Sequence, residues 1–169
     1  ADQIALAAGG SYLFHHKGTN LFVGKDSGNT TLTGSYNVCY GQDTGVNLTS
    51  GNNNVFVGRY TGNGMTTGSN NTFIGHTVGY QITTGSSLVL IGSLVGTVIT
   101  TASRVVLIGE NAGATLTIGS DNVYIGTESG SQNIEGKENI AIGVGAGRGV
   151  DYSASQRTMV GFNAGYASI

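Results

Sequence analysis

The chain has 169 residues, a formal net charge of −2 and only 9% charged side chains, with 30 glycines and no proline. No basic stripe is present to neutralise phosphates, and no apolar run reaches the length of about 18 residues that a membrane span needs. We therefore expect neither a nucleic-acid partner nor insertion into a membrane. Apolar residues still make up 38% of the chain, which favours a folded protein over a disordered one.

The first 19 residues do not follow the pattern of the rest of the chain, and we interpret residues 1–19 as an N-terminal cap or connector. This segment holds the pair His15 and His16. In an oligomer with its axis nearby, one of the two could meet its symmetry mates and bind a metal, since imidazole is a common metal ligand. The alternative is an exposed polar pair in a cap.

From Asn20 onward, glycine recurs every 17 residues, which is the main signal in this sequence. One series contains Gly24, Gly41, Gly58, Gly75, Gly92, Gly109, Gly126 and Gly143, with Gly161 following after one inserted residue. A second series lies four residues behind the first. A short, constant period is typical of solenoids. The sequence therefore predicts an all-β protein, a parallel β-roll or β-solenoid of nine 17-residue coils over residues 20–169.

Each unit begins with a short strand whose second and fourth positions are mostly Val or Ile, such as Val55 and Val57. The position between them is apolar too, so both faces of the strand are predicted to be buried. Because the interior of a coil this small is thin, we expect a second copy of the chain to cover one face. We predict a homotrimer with this central column on its axis. The predicted interface residues are Phe22, Cys39, Phe56, Phe73, Leu90, Leu107, Tyr124 and Met159.

The second half of each unit is predicted to contain another short strand between glycine corners. It carries one apolar column, which includes Leu48 and Met65, and two adjacent Thr-rich columns. Since neighbouring residues of a strand point to opposite faces, we expect only one threonine column to face solvent. The asparagine that starts most units is predicted to form a ladder of amide hydrogen bonds between coils.

The period breaks once, because Gly143 and Gly161 are 18 residues apart. We expect residues 151–156 to bulge outward while Thr158–Gly161 still stacks on Ile140–Gly143. Tyr152 and Arg157 would then form an exposed patch, either a contact surface or a structural end cap.

The units resemble two groups of known repeats. Asn139–Gly143, which reads Asn-Ile-Ala-Ile-Gly, is similar to the unit of left-handed parallel β-roll heads in trimeric autotransporter adhesins. Asn70–Gly75, together with Thr83–Ser86, resembles the repeats of phage tail fibres and related virion proteins. The resemblance covers residues 20–169. It implies trimerisation and attachment, and a location outside the cell or on a virion surface, and it assigns no receptor.

No catalytic or cofactor chemistry emerges from the residues. The carboxylates are scattered over different coils, so no general acid and base can be paired. The leading hypothesis is a non-enzymatic trimeric fibre or adhesin domain without a cofactor, which binds a host-surface glycan or protein receptor. Candidate contact residues are Tyr60, Tyr80, Tyr152, Arg157 and Tyr166. The alternatives are an ice-binding solenoid, which the threonine columns suggest, and a structural spacer or self-assembling extracellular filament without a ligand.

Overall fold

The computed structural model describes residues 6–8, 11–149, 153 and 155–166, with side chains from residue 17 onward. This part of the chain forms eleven strands, contains no helix, and builds one sheet whose strand order follows the chain. The strands are β1 Leu6–Ala8, β2 Ser11–Lys17, β3 Asn20–Val23, β4 Val38–Tyr40, β5 Val55–Val57, β6 Thr72–His76, β7 Leu88–Ser93, β8 Val105–Ile108, β9 Val123–Ile125, β10 Ile140–Ile142 and β11 Thr158–Val160.

The N-terminal segment lies against the first coil as an antiparallel hairpin. Strand β1 pairs with β2, and β2 pairs antiparallel with β3. The side chains of Lys17 and Asn20 secure the turn between β2 and β3, because the Lys17 ammonium donates to the Thr30 carbonyl (2.7 Å) and the Asn20 amide donates to the Lys17 carbonyl (3.0 Å). Parallel stacking thus begins at Asn20, and the hairpin occupies the edge that β3 would otherwise expose.

Strands β3 to β11 pair in parallel, and eight turns of chain connect them. Each residue pairs with the one 17 positions later, as Phe22 does with Cys39 and Cys39 with Phe56. This register confirms the predicted parallel β-solenoid. Between β10 and β11 the offset is 18, with Ile140 paired with Thr158, so the stacked strands absorb the extra residue as expected. The predicted bulge itself, and Tyr152 with it, lie outside the described residues.

The second half of each coil differs from the prediction, because it consists of turns and bends and not of a second strand. The coils are still joined there by backbone hydrogen bonds, such as those from the Thr49 N–H to the Thr66 carbonyl (2.8 Å) and from the Thr66 N–H to the Thr83 carbonyl (2.9 Å). Only one or two such bonds join each pair of consecutive coils in this region, which is too few to form a strand.

The interior of the solenoid overturns the predicted direction of the central strand column. Phe22, Cys39, Phe56, Phe73, Leu90, Leu107 and Tyr124 are buried inside the single chain, and Met159 of the last coil is half-buried against them. Side chains with almost no accessible surface in one chain cannot contact another chain, so the prediction that these seven residues form a trimer interface is wrong. For Met159 it stays a prediction.

The physical reason is the size of the residues across the coil. The glycines of the second series lie against the central column, since a Cβ on Gly62 would be 2.8 Å from the Phe56 ring and one on Gly79 would be 2.7 Å from the Phe73 ring. The absence of a side chain at these positions leaves room for the large residues of the column. The aromatic rings of Phe56 and Phe73 stack in this space with their centroids 4.9 Å apart. The second apolar column, with Leu48, Met65, Ile82, Ile99 and Leu116, completes this core.

Glycine is required where one coil touches the next. A Cβ on Gly75 would lie 1.7 Å from the carbonyl oxygen of Gly92, and the φ angle of Gly75 is +134°. No residue with a side chain meets both conditions. The 17-residue glycine series therefore follows from the close stacking of coils at the end of each strand.

Candidate functional site

The strands present an apolar surface to the outside, which we call the valine–isoleucine face. It consists of the second and fourth positions of each repeat unit, the residues that flank the buried column in strands β3 to β11. They are Leu21, Val23, Val38, Tyr40, Val55, Val57, Thr72, Ile74, Val89, Ile91, Val106, Ile108, Val123, Ile125, Ile140, Ile142, Thr158 and Val160. All of them are half-buried or exposed, and none is charged.

The exposure of this face is unusual for aliphatic side chains. Val55 is 37% exposed, Ile74 39% and Ile140 39%, in the middle of paired strands where nothing else in the described chain covers them. Nine strands at about 4.8 Å make a surface about 40 Å long and two side chains wide. Contiguous apolar patches of this size are characteristic of interaction sites. Sequence reasoning found these columns but assigned them to the interior.

A second surface, the threonine strip, follows the turns of the other half of each coil. It comprises Thr49, Ser50, Thr66, Thr67, Thr83, Thr84, Thr100, Thr101, Thr117 and Ile118, two residues from each of five coils. The expectation that only one of its columns faces solvent is wrong, since every member is exposed or half-buried. Both columns point outward because the backbone bends here and lacks the alternation of a strand.

The two columns of the threonine strip differ in their hydrogen bonds. In the first column each hydroxyl donates to the carbonyl of the next coil, as Thr49 does to Thr66 (3.0 Å) and Thr66 to Thr83 (2.9 Å). The same contact continues through Thr100 and Thr117. In the second column, the hydroxyls of Ser50, Thr67, Thr84 and Thr101 are exposed and bond to no described residue. The strip therefore combines oriented methyl groups with free hydroxyl groups at a constant spacing.

The asparagine column has a structural role. The Asn37 side-chain oxygen accepts from the backbone N–H (3.0 Å) and the side-chain amide (2.9 Å) of Asn54, and Asn54 does the same for Asn71. Each amide also donates to a carbonyl one coil further on, such as that of Gly68. The ladder is interrupted at Leu88 and Val105 and resumes between Asn122 and Asn139. Its members are buried, so they are not available to a ligand.

The candidate contact residues do not form one site. Tyr60 and Tyr80 lie on adjacent coils, whereas Arg157 and the half-exposed Tyr166 belong to the last coil. The Arg59 guanidinium lies 4.4 Å from the Tyr60 ring centroid and donates to the Tyr60 hydroxyl (2.8 Å). This contact fixes the ring against a cation and leaves Tyr80, which is 43% exposed, as the more accessible aromatic surface.

Titratable groups are spread over the surface. His15 and His16 lie on β2, and their side chains are outside the described part. Among the described residues, no three His, Cys, Asp or Glu side chains group as a metal site. Arg104 donates to Asp121 through two bonds of 2.6 and 2.9 Å, which lowers the pKa of the Asp121 carboxyl. Glu128 pairs with Arg148.

Two buried groups have pKa values above their ordinary values. Burial raises the pKa of the Cys39 thiol to about 12 and that of the Tyr124 hydroxyl to about 12. Both therefore stay protonated and unreactive at neutral pH.

The described part of the chain contains no helix suited to crossing a membrane.

Comparison of the chain with known protein families, with curated proteins and with solved structures gives no match. Function is therefore inferred from the two exposed surfaces, the valine–isoleucine face and the threonine strip, and from the resemblance of the repeats.

Proposed function

We propose that this chain is a non-enzymatic, homotrimeric fibre or adhesin domain of a virion or cell surface. The observation that carries this proposal is the valine–isoleucine face, which the fold leaves uncovered along the length of the solenoid. The sequence predicted that another copy of the chain covers one apolar face of the strands. We keep that prediction for the valine–isoleucine face, which is the face opposite to the predicted column.

The occupant that fits this face is another copy of the same chain. Its side chains repeat at the spacing of stacked strands, and a parallel copy has the same repeat along its whole length. The two columns are also complementary in size, because the second positions are mostly Val, such as Val106 and Val123, and the fourth mostly Ile, such as Ile108 and Ile125. In a closed ring of parallel copies, the larger column of one chain packs on the smaller column of the next.

Three copies agree with the resemblance of the repeats to trimeric adhesin heads and phage fibres. Three narrow apolar faces around one axis bury each other and leave the remaining sides of each coil exposed. Attachment would then be multivalent, with each weak contact at Tyr80 or a neighbouring corner present three times. The class of ligand proposed is a host-surface glycan or protein receptor.

The test is the mass of the particle in solution. Light scattering should give three times the chain mass of 17.2 kDa. Ile108→Glu should yield a folded monomer, because Ile108 points outward and a carboxylate cannot be buried unpaired at the interface. Ile118→Glu is the matched control, since Ile118 is 46% exposed and lies off this face. It should remain trimeric.

Two results would contradict the proposal. A wild-type protein that is monomeric at all concentrations would show that the face does not join copies. A particle of two chains would be compatible with this interface but would contradict the trimer. Loss of the trimer in both Ile variants would show that the interface lies elsewhere.

A further inference from the structure

We infer that the threonine strip is a binding surface for crystalline water, so that the chain adsorbs to ice. The ligand class is a periodic lattice of water molecules, not a single small molecule. This inference does not rest on the trimer, because the strip and the valine–isoleucine face occupy different parts of each coil.

The threonine strip is regular along its length. Backbone hydrogen bonds of 2.8 to 3.1 Å join its coils from Thr49 to Thr117, which holds successive threonines at the spacing of stacked strands, about 4.8 Å. A side chain on a mobile loop would lose this spacing. A surface that orders many waters at once needs such a repeat, since each water is placed by its neighbours as well as by the protein.

The side chains of the first column have a fixed orientation. The hydroxyl hydrogens of Thr49, Thr66 and Thr83 are committed to carbonyl groups of the next coil, which selects one χ1 rotamer for a β-branched residue. Each methyl group then has a set direction, and each hydroxyl oxygen keeps a lone pair for water. The threonine side chains are therefore ordered before binding, so little side-chain entropy is lost on adsorption.

The chemical composition of the strip also favours ordered water as its ligand. Over five coils it contains no charged side chain and no aromatic ring, and its second column has the free hydroxyls of Thr67, Thr84 and Thr101. A protein surface that binds a polysaccharide would be expected to contain exposed aromatic rings, and the strip has none. Alternating methyl and hydroxyl groups at fixed positions suit ordered water better than a sugar or a protein loop.

The strip also has defined limits. Its second column is weakened by Ser50 at one end and by Ile118 at the other, and Glu135 stands at the position equivalent to Ile118 one coil further on. The first column continues at the Ser50 end through Thr33, whose hydroxyl donates to the Thr49 carbonyl (3.0 Å). The central three coils, with the pairs Thr66–Thr67, Thr83–Thr84 and Thr100–Thr101, are the part predicted to hold the lattice. A single change at the centre should therefore have a larger effect than one at the ends.

The experiment uses the full chain and observes single ice crystals in its presence. The wild-type protein should facet the crystals and open a gap between melting and freezing temperatures. Thr84→Lys should abolish both effects without changing the melting temperature of the protein, because the Thr84 hydroxyl bonds to no described residue. Thr127→Lys is the matched control, an exposed threonine outside the strip, and should behave as wild type.

A gain-of-function variant makes the test sharper. The double change Ser50→Thr and Ile118→Thr extends the strip at both ends and should widen the temperature gap. Crystals that grow with wild-type protein as they do in buffer would overturn the inference, as would equal effects of Thr84→Lys and Thr127→Lys. Retention on insoluble cellulose or chitin without an effect on ice would overturn it too, and would assign the strip to a polysaccharide.

Discussion

The side-chain oxygen of Asn54 accepts two hydrogen bonds from Asn71, one from its backbone N–H (3.1 Å) and one from its side-chain amide (3.0 Å). The Asn71 amide donates again to the Gly85 carbonyl (3.0 Å), and its oxygen accepts from the Leu88 N–H (3.0 Å). The buried Asn71 side chain thus hydrogen-bonds to groups that link three consecutive coils.

Replacement of Asn71 by Ala should destabilise the protein by about 3 kcal/mol, because it leaves the Gly85 carbonyl and the Leu88 N–H buried without these partners. Asn47→Ala is the control, since Asn47 is exposed and its amide makes one bond to the Asn63 carbonyl. Urea unfolding compares the two variants. A loss for Asn71→Ala no larger than that for Asn47→Ala would show that the ladder adds nothing to stability.

Gly75→Ala should destabilise the solenoid by about 4 kcal/mol or prevent folding, since its Cβ would collide with the Gly92 carbonyl and its φ is positive. Gly18→Ala has the positive φ alone, with no atom within 4 Å of the added Cβ, and should cost about 1 kcal/mol. Thermal melts monitored by circular dichroism measure both. Similar melting temperatures for the two variants would contradict the close approach of coils.

Phe73→Ala should cost about 4 kcal/mol, because it opens a cavity beside Phe56 in the centre of the core. Phe73→Leu should cost about 1 kcal/mol, since Leu90 and Leu107 fill the same column in later coils. The free energy of unfolding from urea titration is the readout. If Phe73→Ala instead changed the particle mass and left the stability of the single chain intact, the column would belong to an interface after all.

Stability should fall at alkaline pH because of two buried acids. The folded-state pKa values of Cys39 and Tyr124 are about 12, above their ordinary values of 9.0 and 10.0. Their contribution is complete below pH 9 and is lost as the pH rises toward 12, by about 1.4 kcal/mol per pH unit for each group. Unfolding titrations from pH 8 to 11 measure this slope. Cys39→Ala with Tyr124→Phe should flatten it, and an unchanged slope would reject this origin.

Much of the architecture could be predicted from the chain itself. The spacing of Gly24, Gly41 and their successors reveals the period, because only glycine fits where adjacent coils touch. The position of the extra residue before Arg157 could also be read from the spacing, and strand β11 keeps its pairing with β10 despite it. The asparagine ladder followed from the same repeat.

What the sequence alone determined, therefore, was the period, the parallel stacking and the identity of each column. Only the tertiary structure decided the direction in which each column faces. Alternation in a strand separates Phe56 from Val55 and Val57 but does not say which side is inside, and all three are apolar. The answer depends on Gly62, whose lack of a side chain leaves room for the Phe56 ring. In the same way, Thr66 and Thr67 both point outward because the chain bends there, and a bend is set by how the whole coil closes.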